Sequence, residues 1–106
     1  MLLKALQDQH RVWVDHNFPD QKAWEPLLGL VEEVGELSHA HLKGHQNIRH
    51  DQMQIMEMKV DAVGDIFIYL MSYCNAMGID LETTVLSTWE QVRARGWVAD
   101  REEGVA

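Results

Sequence analysis

Five carboxylates stand at spacings that could do chemistry. Glu32, Glu33 and Glu36 fall within five residues, and Asp61 and Asp65 follow some thirty residues later, with Glu57 one turn before them. At 100° per residue, Glu32, Glu33 and Glu36 share one arc of about 100°, with Leu30, Val34 and Leu37 on the far side. The same arithmetic gathers Glu57, Asp61 and Asp65 within roughly 80°, opposite Val60, Val63, Phe67, Leu70 and Cys74. Two acidic helical faces of this kind are usually solvated. Here, however, Glu32 and Glu36 form a like-charge i,i+4 pair with no Lys or Arg placed to neutralise it, which disfavours the helix. The run Ile66 to Met77 is apolar at nearly every angle, the mark of a buried helix, and buried carboxylates need a cation. Hard cations such as Mg²⁺ or Mn²⁺ take oxygen ligands and share themselves with substrate phosphates. They can also polarise a phosphoryl oxygen and activate water.

The elements that must position these groups read as all-α. Two prolines and seven glycines leave little turn chemistry, and apolar residues recur at three- and four-residue spacing. A first helix runs from about Leu2 to His16 and stops in Asn17-Phe18-Pro19-Asp20, where Pro19 disfavours helix at Phe18. A second begins near Lys22 to Trp24, accepts Pro26 in its first turn, and ends at about Lys43 with Gly44 as its cap. His45 to Asp51 reads as a loop. A third helix spans about Gln52 to Met77 and stops at Gly78; Asp80 caps a fourth from Leu81 to Arg95, closed by Gly96. The expected architecture is a four-helix bundle-like domain covering residues 1–106, with a loose tail over 98–106. The second and third helices should be antiparallel and present their acidic faces to each other. Gly29, Gly35 and Gly64 offer close helix approach, and the apolar surplus of the third helix implies a homo-oligomer.

Length and charge narrow the class. The chain has 106 residues and a formal charge of −8, enough for one core but not two. Its acidity argues against a nucleic-acid or anionic-membrane partner, because no basic stripe can displace phosphate counterions. The longest uncharged run, Ile66 to Ile79, is too short and too closely flanked by Asp65 and Asp80 to span a bilayer. No signal-peptide pattern follows Met1, and the single Cys74 allows no internal disulfide, so the expected compartment is the cytoplasm. Cys74 reads as an inert small hydrophobe, and the methionines as packing.

Taken together, Gly29-Leu30-Val31-Glu32-Glu33-Val34-Gly35-Glu36-Leu37, then Asp61-Ala62-Val63-Gly64-Asp65-Ile66 and Ile68-Tyr69-Leu70, resemble the MazG-like all-α nucleoside triphosphate pyrophosphohydrolases over about residues 24–97. The family motif is EExxE followed by ExxD. Its first half is intact as Glu32, Glu33 and Glu36. In the second half Asp65 matches the Asp, but Ala62 stands where the Glu belongs, and the acid is Asp61, one position earlier on the same helical face. The resemblance implies Mg²⁺-dependent hydrolysis of a nucleoside triphosphate between the α and β phosphates, with Mn²⁺ as a substitute. It implies metal ligation by Glu32, Glu33, Glu36, Asp61 and Asp65, and a catalytic set of Glu32, Glu33 and Glu36 in which Glu32 orients or deprotonates the attacking water. It also implies a homodimer or dimer of dimers and a role in nucleotide house-cleaning.

Further residues carry a functional and a plain reading side by side. Lys43 shares the arc of Glu36 and could touch a phosphate, or be a solvated lysine near a helix end. Tyr69, one turn beyond Asp65, could meet the nucleoside, or be a core tyrosine. Arg93, Arg95 and Trp97 close the fourth helix, where two cations could reach phosphate and an indole a base; arginines also simply favour a helix C-terminus. Trp13 and Trp24 could line a base pocket or anchor the first-helix region. His39, His41, His45 and His50 cluster without a nearby cysteine to complete a zinc site. Two other classes stay open. One is a di-iron or di-manganese bundle, for which Glu36-Leu37-Ser38-His39 supplies only one of the two Glu-x-x-His motifs required. The other is a helical module that binds a nucleotide or partner without turning it over.

Overall fold

The computed structural model describes residues 2–46 and 51–96, which form four helices and no strand among them. Helix α1 spans Leu2–Asn17, α2 Trp24–Gln46, α3 Gln52–Met77 and α4 Leu81–Ala94. The tail 98–106, Trp97 and His50 lie outside the described residues.

Each boundary has a local cause. Asp51 opens α3 with a capping box: its side chain accepts from the Gln54 N–H while the Gln54 side chain accepts from the Asp51 N–H. Gly78 ends α3 in the left-handed region at φ 69°, which a residue with a Cβ enters only at a cost. Asp80 caps α4 by accepting from the Thr83 N–H at 3.0 Å. At the start of α2, the Glu25 carboxylate accepts from the Lys22 N–H at 3.1 Å, and Pro26 is buried within the first turn. Gly44, by contrast, does not cap α2, which continues to Gln46. Its missing side chain serves a different purpose, since a Cβ there would stand 3.1 Å from Cγ2 of Ile55 on α3.

The pairing of α2 with α3 is the main tertiary contact, and it is antiparallel. Gly29, near the start of α2, meets Tyr69 near the end of α3, whereas Gly44 near the end of α2 meets Ile55 near the start of α3. Ala40, Ile55 and Ala62 are buried along this seam. Gly29 is the tight point, for a Cβ there would come within 2.7 Å of three atoms of the Tyr69 ring. Gly35 and Gly64 do not serve close approach within the chain, as a Cβ at either would meet nothing within 4 Å.

Helix α1 crosses the C-terminal end of α3, and one side chain ties it there. Gln7 is fully buried; its amide donates to Ile79 O at 2.7 Å and Asn75 Oδ1 at 3.0 Å, and its Oε1 accepts from the Leu81 N–H at 2.9 Å. The first orphan N–H of α4 is thus satisfied by a glutamine from α1. Around this joint Met71, Cys74 and Leu81 form the buried core, with Leu3 and Leu70 against it. Burial pushes the Cys74 thiol up, which suits an inert role. The apolar run of α3 is only partly covered: Phe67 and Ile68 remain 41% and 48% exposed within the chain. No single described helix is long and apolar enough to cross a membrane.

The Asp80 cap makes stability depend on acid. Its hydrogen bond from Thr83 and the nearby Lys4 ammonium hold its carboxyl below the usual carboxylate value. A depressed folded value contributes stability that is present above the unfolded carboxylate value, about 3.9, and is lost as pH falls through the folded one. Thermal unfolding between pH 5 and 3 should therefore lose more stability in the wild type than in Asp80→Asn, which keeps a capping oxygen but does not titrate. Parallel acid limbs would show that Asp80 contributes nothing to them.

Candidate functional site

Antiparallel pairing of α2 and α3 brings the two acidic faces together. A cleft of about 560 Å³ between them is lined by Glu32, Glu33, Gly35, Glu36, His39, Met58, Asp61, Ala62 and Asp65. All five carboxylates expected from the sequence line it, and the lining holds no Lys or Arg. Ala62, at the position of the family Glu, is buried in this wall, while Asp61 beside it is exposed to the cleft. Glu57 is exposed and lies outside the lining.

Uncompensated negative charge marks the cleft electrostatically. Glu33 is half-buried, and its Oε2 is a buried atom without a hydrogen-bond partner. Burial pushes the Glu33 carboxyl up, and the charges of Glu36, Asp65 and Glu32 push it further in the same direction. The neighbouring carboxylates disfavour the ionised form of Glu33, and a proton or a cation at that group relieves it. The donor set is therefore that of a hard cation, oxygen-rich and anionic. Among the described residues, no three His, Cys, Asp or Glu side chains converge closely enough to hold a metal ion as they stand. The carboxylates face a common space rather than a finished coordination sphere.

A second cleft, of about 530 Å³, opens on the other side of Glu33 and Asp65. Trp13 and Phe18 wall it from α1 and the turn after it, with rings edge to face at a centroid distance of 5.6 Å. Tyr69 walls it from α3, and the Ser72 hydroxyl donates to Gln21 Oε1 at 2.9 Å within it. His10, stacked on Trp13 at 6.0 Å, also lines it; its Nε2 is buried without a partner, and burial pushes its pKa down. Sequence reasoning singled out Trp13 and Tyr69 but missed Phe18, Gln21, Ser72 and His10. The Asn17-Phe18-Pro19 signal reads as a helix stop, and nothing in it shows that the stop turns Phe18 toward α3.

Other expected contacts are not assembled in the chain. Lys43 follows His39 on the same helical face but does not line the cleft. Arg93 pairs with Glu90 at 3.1 Å on exposed α4, and Arg95 caps that helix; neither lines the two clefts described above. Trp24 is 60% exposed and lines neither space. Trp97 lies outside the described residues.

Fold and site together define an all-helical protein with a carboxylate-lined cleft between two antiparallel helices and an aromatic cleft beside it. Comparison with protein-family models, with curated proteins and with solved structures found no match.

Proposed function

We propose that the chain hydrolyses nucleoside triphosphates between the α and β phosphates, releasing the monophosphate and pyrophosphate, with Mg²⁺ or Mn²⁺ required. The observation that carries the reading is the convergence of Glu32, Glu33, Glu36, Asp61 and Asp65 on one cleft without a basic residue. An acidic cleft admits a polyphosphate only with cations between them, and it is the cation that supplies charge neutralisation and polarisation of the phosphoryl oxygen. Glu33, Glu36, Asp61 and Asp65 would hold it, and Glu33 would give up any proton it carries on binding. Glu32 orients water for attack on the α-phosphorus. As the new P–O bond forms, the bond to the bridging oxygen breaks, pyrophosphate leaves, and one proton of the water passes to Glu32. Trp13, Phe18 and Tyr69, in the adjoining cleft across Glu33 and Asp65, offer faces on which a base can stack. Self-association as a homodimer or dimer of dimers and a cytoplasmic house-cleaning role belong to the same reading.

The test is pyrophosphate against orthophosphate release from a panel of ribo- and deoxyribonucleoside triphosphates with Mg²⁺, Mn²⁺ or EDTA. Metal-dependent pyrophosphate is the expected product. A folded protein that releases none would favour a non-catalytic binding module, the reading to which Ala62 in the cleft wall lends support.

A further inference from the structure

The wall of the acidic cleft holds one polar side chain that is not a carboxylate. His39 lines it, one turn beyond Glu36 on α2, and is the only residue of the described lining whose side chain carries an N–H. It is exposed, and its imidazole makes no hydrogen bond to another described residue. Glu32, Glu36 and His39 stand at i, i+4 and i+7 within an arc of about 60°, so they follow one line along α2 with about 10 Å between its ends. Toward the end that His39 occupies, the charge reverses sign. Lys43 comes one turn later on the same face, and Lys59 of α3 brings its Nζ within 3.7 Å of the point where a Cβ on Gly44 would stand.

We propose that His39 binds the leaving group, donating an imidazole N–H to a non-bridging oxygen of the departing pyrophosphate. This rests on the hydrolase reading above and gives it a direction. Displacement at phosphorus runs in line, with the attacking water and the leaving oxygen on opposite sides of the α-phosphorus. Glu32, which orients the water, marks one end of the line on α2, and His39 marks the other, so the pyrophosphate departs on the His39 side. The nucleoside is attached to the α-phosphorus off that line, which agrees with an aromatic cleft that shares Glu33 and Asp65 but not His39. Pyrophosphate oxygens are anionic acceptors, which the carboxylates meet only through a cation and which His39 meets directly. The role calls for no change of protonation, since neutral and protonated imidazole each carry an N–H. His39 gives up no proton in the step: the bond electrons leave with the bridging oxygen, and the proton of the water passes to Glu32.

The experiment is titration calorimetry of the Mn²⁺ complex of inorganic pyrophosphate into the full chain, for the wild type, His39→Ala and His39→Gln. Electron paramagnetic resonance of Mn²⁺ binding without pyrophosphate accompanies it. His39→Ala should weaken pyrophosphate binding at least ~10-fold, the loss expected of a hydrogen bond to a charged group, and His39→Gln, which keeps an N–H, should recover most of it. Mn²⁺ binding alone should be the same in all three proteins. His39 is exposed within α2, so helicity should not change. Pyrophosphate binding that ignores the substitution would overturn the assignment. So would an equal loss of Mn²⁺ itself in His39→Ala, which would make the imidazole a ligand of the cation. A wild type that binds no pyrophosphate would overturn it too, and with it the admission of a polyphosphate to this cleft. Turnover of nucleoside triphosphates separates the two readings. Turnover that persists in His39→Ala with unchanged KM would remove His39 and leave hydrolysis standing, whereas His39-dependent pyrophosphate binding in a wild type without turnover would remove hydrolysis and keep the site.

Discussion

Glu36→Ala and Asp65→Ala should each lower Mg²⁺-dependent pyrophosphate release by about 10³-fold or more, the loss expected when a ligand of a catalytic cation is removed. Stability should move the other way. Glu36 lies among Glu32, Glu33, Asp61 and Asp65 with no cation from the protein, so removing one charge relieves repulsion rather than breaking an ion pair. For Glu36→Ala, without metal, we expect unchanged helicity and a melting temperature equal to or slightly above that of the wild type. Activity lost while stability is kept or gained identifies a group held for function at the expense of the fold. If both variants keep their turnover, the hydrolase reading is wrong. If they lose turnover and unfold together, the carboxylates are structural. Thermal unfolding and pyrophosphate release on the same preparations separate these outcomes.

The largest effect on stability is expected at Gln7. Truncation to Ala removes three side-chain hydrogen bonds at the joint of α1, α3 and α4, and leaves the Leu81 N–H and the Ile79 carbonyl unpaired. A buried orphan of this kind costs ~1–3 kcal/mol, so a total of about 3 kcal/mol and a fall in melting temperature of roughly 10–20 °C are expected. Gln7→Glu should not restore the loss, because its second oxygen would face the Ile79 carbonyl where an amide now donates. Circular-dichroism melts at one fixed protein concentration are the measurement, since the midpoint of any self-associating protein depends on concentration. A loss below ~1 kcal/mol would mean that apolar contacts at Leu3, Met71, Cys74 and Leu81 hold the joint without the glutamine.

Much of this was legible locally because helix ends are local chemistry. Gly78 and Asp80 act on backbone groups within a few residues, so the end of α3 and the start of α4 follow from the chain alone, whereas Asp51, which reads as part of a loop, proves to cap the start of α3. Gly44 misleads for the opposite reason: it resembles a terminator, but its use is set by Ile55 across the helix pair, and α2 runs on to Gln46. The burial expected for the run Ile66 to Met77 also holds only in part. An apolar pattern states that a surface needs covering, and Phe67 and Ile68 remain open within one chain.

By itself the sequence determined that the protein is helical and that its carboxylates form two groups, each on one helical face, because a period of 3.6 residues is a property of the helix and not of its neighbours. Tertiary structure alone decided that those faces meet and at what register, since the seam of Gly29, Ala40, Ile55 and Ala62 sets how closely and in which alignment α2 and α3 approach. It alone decided, too, that Ala62 rather than an acid stands in the cleft wall beside Asp61, and that Trp13, Phe18 and Tyr69, more than fifty residues apart at the extremes, wall one space next to Glu33 and Asp65. Such neighbours depend on the packing of three separate helices, and no spacing within one helix encodes them.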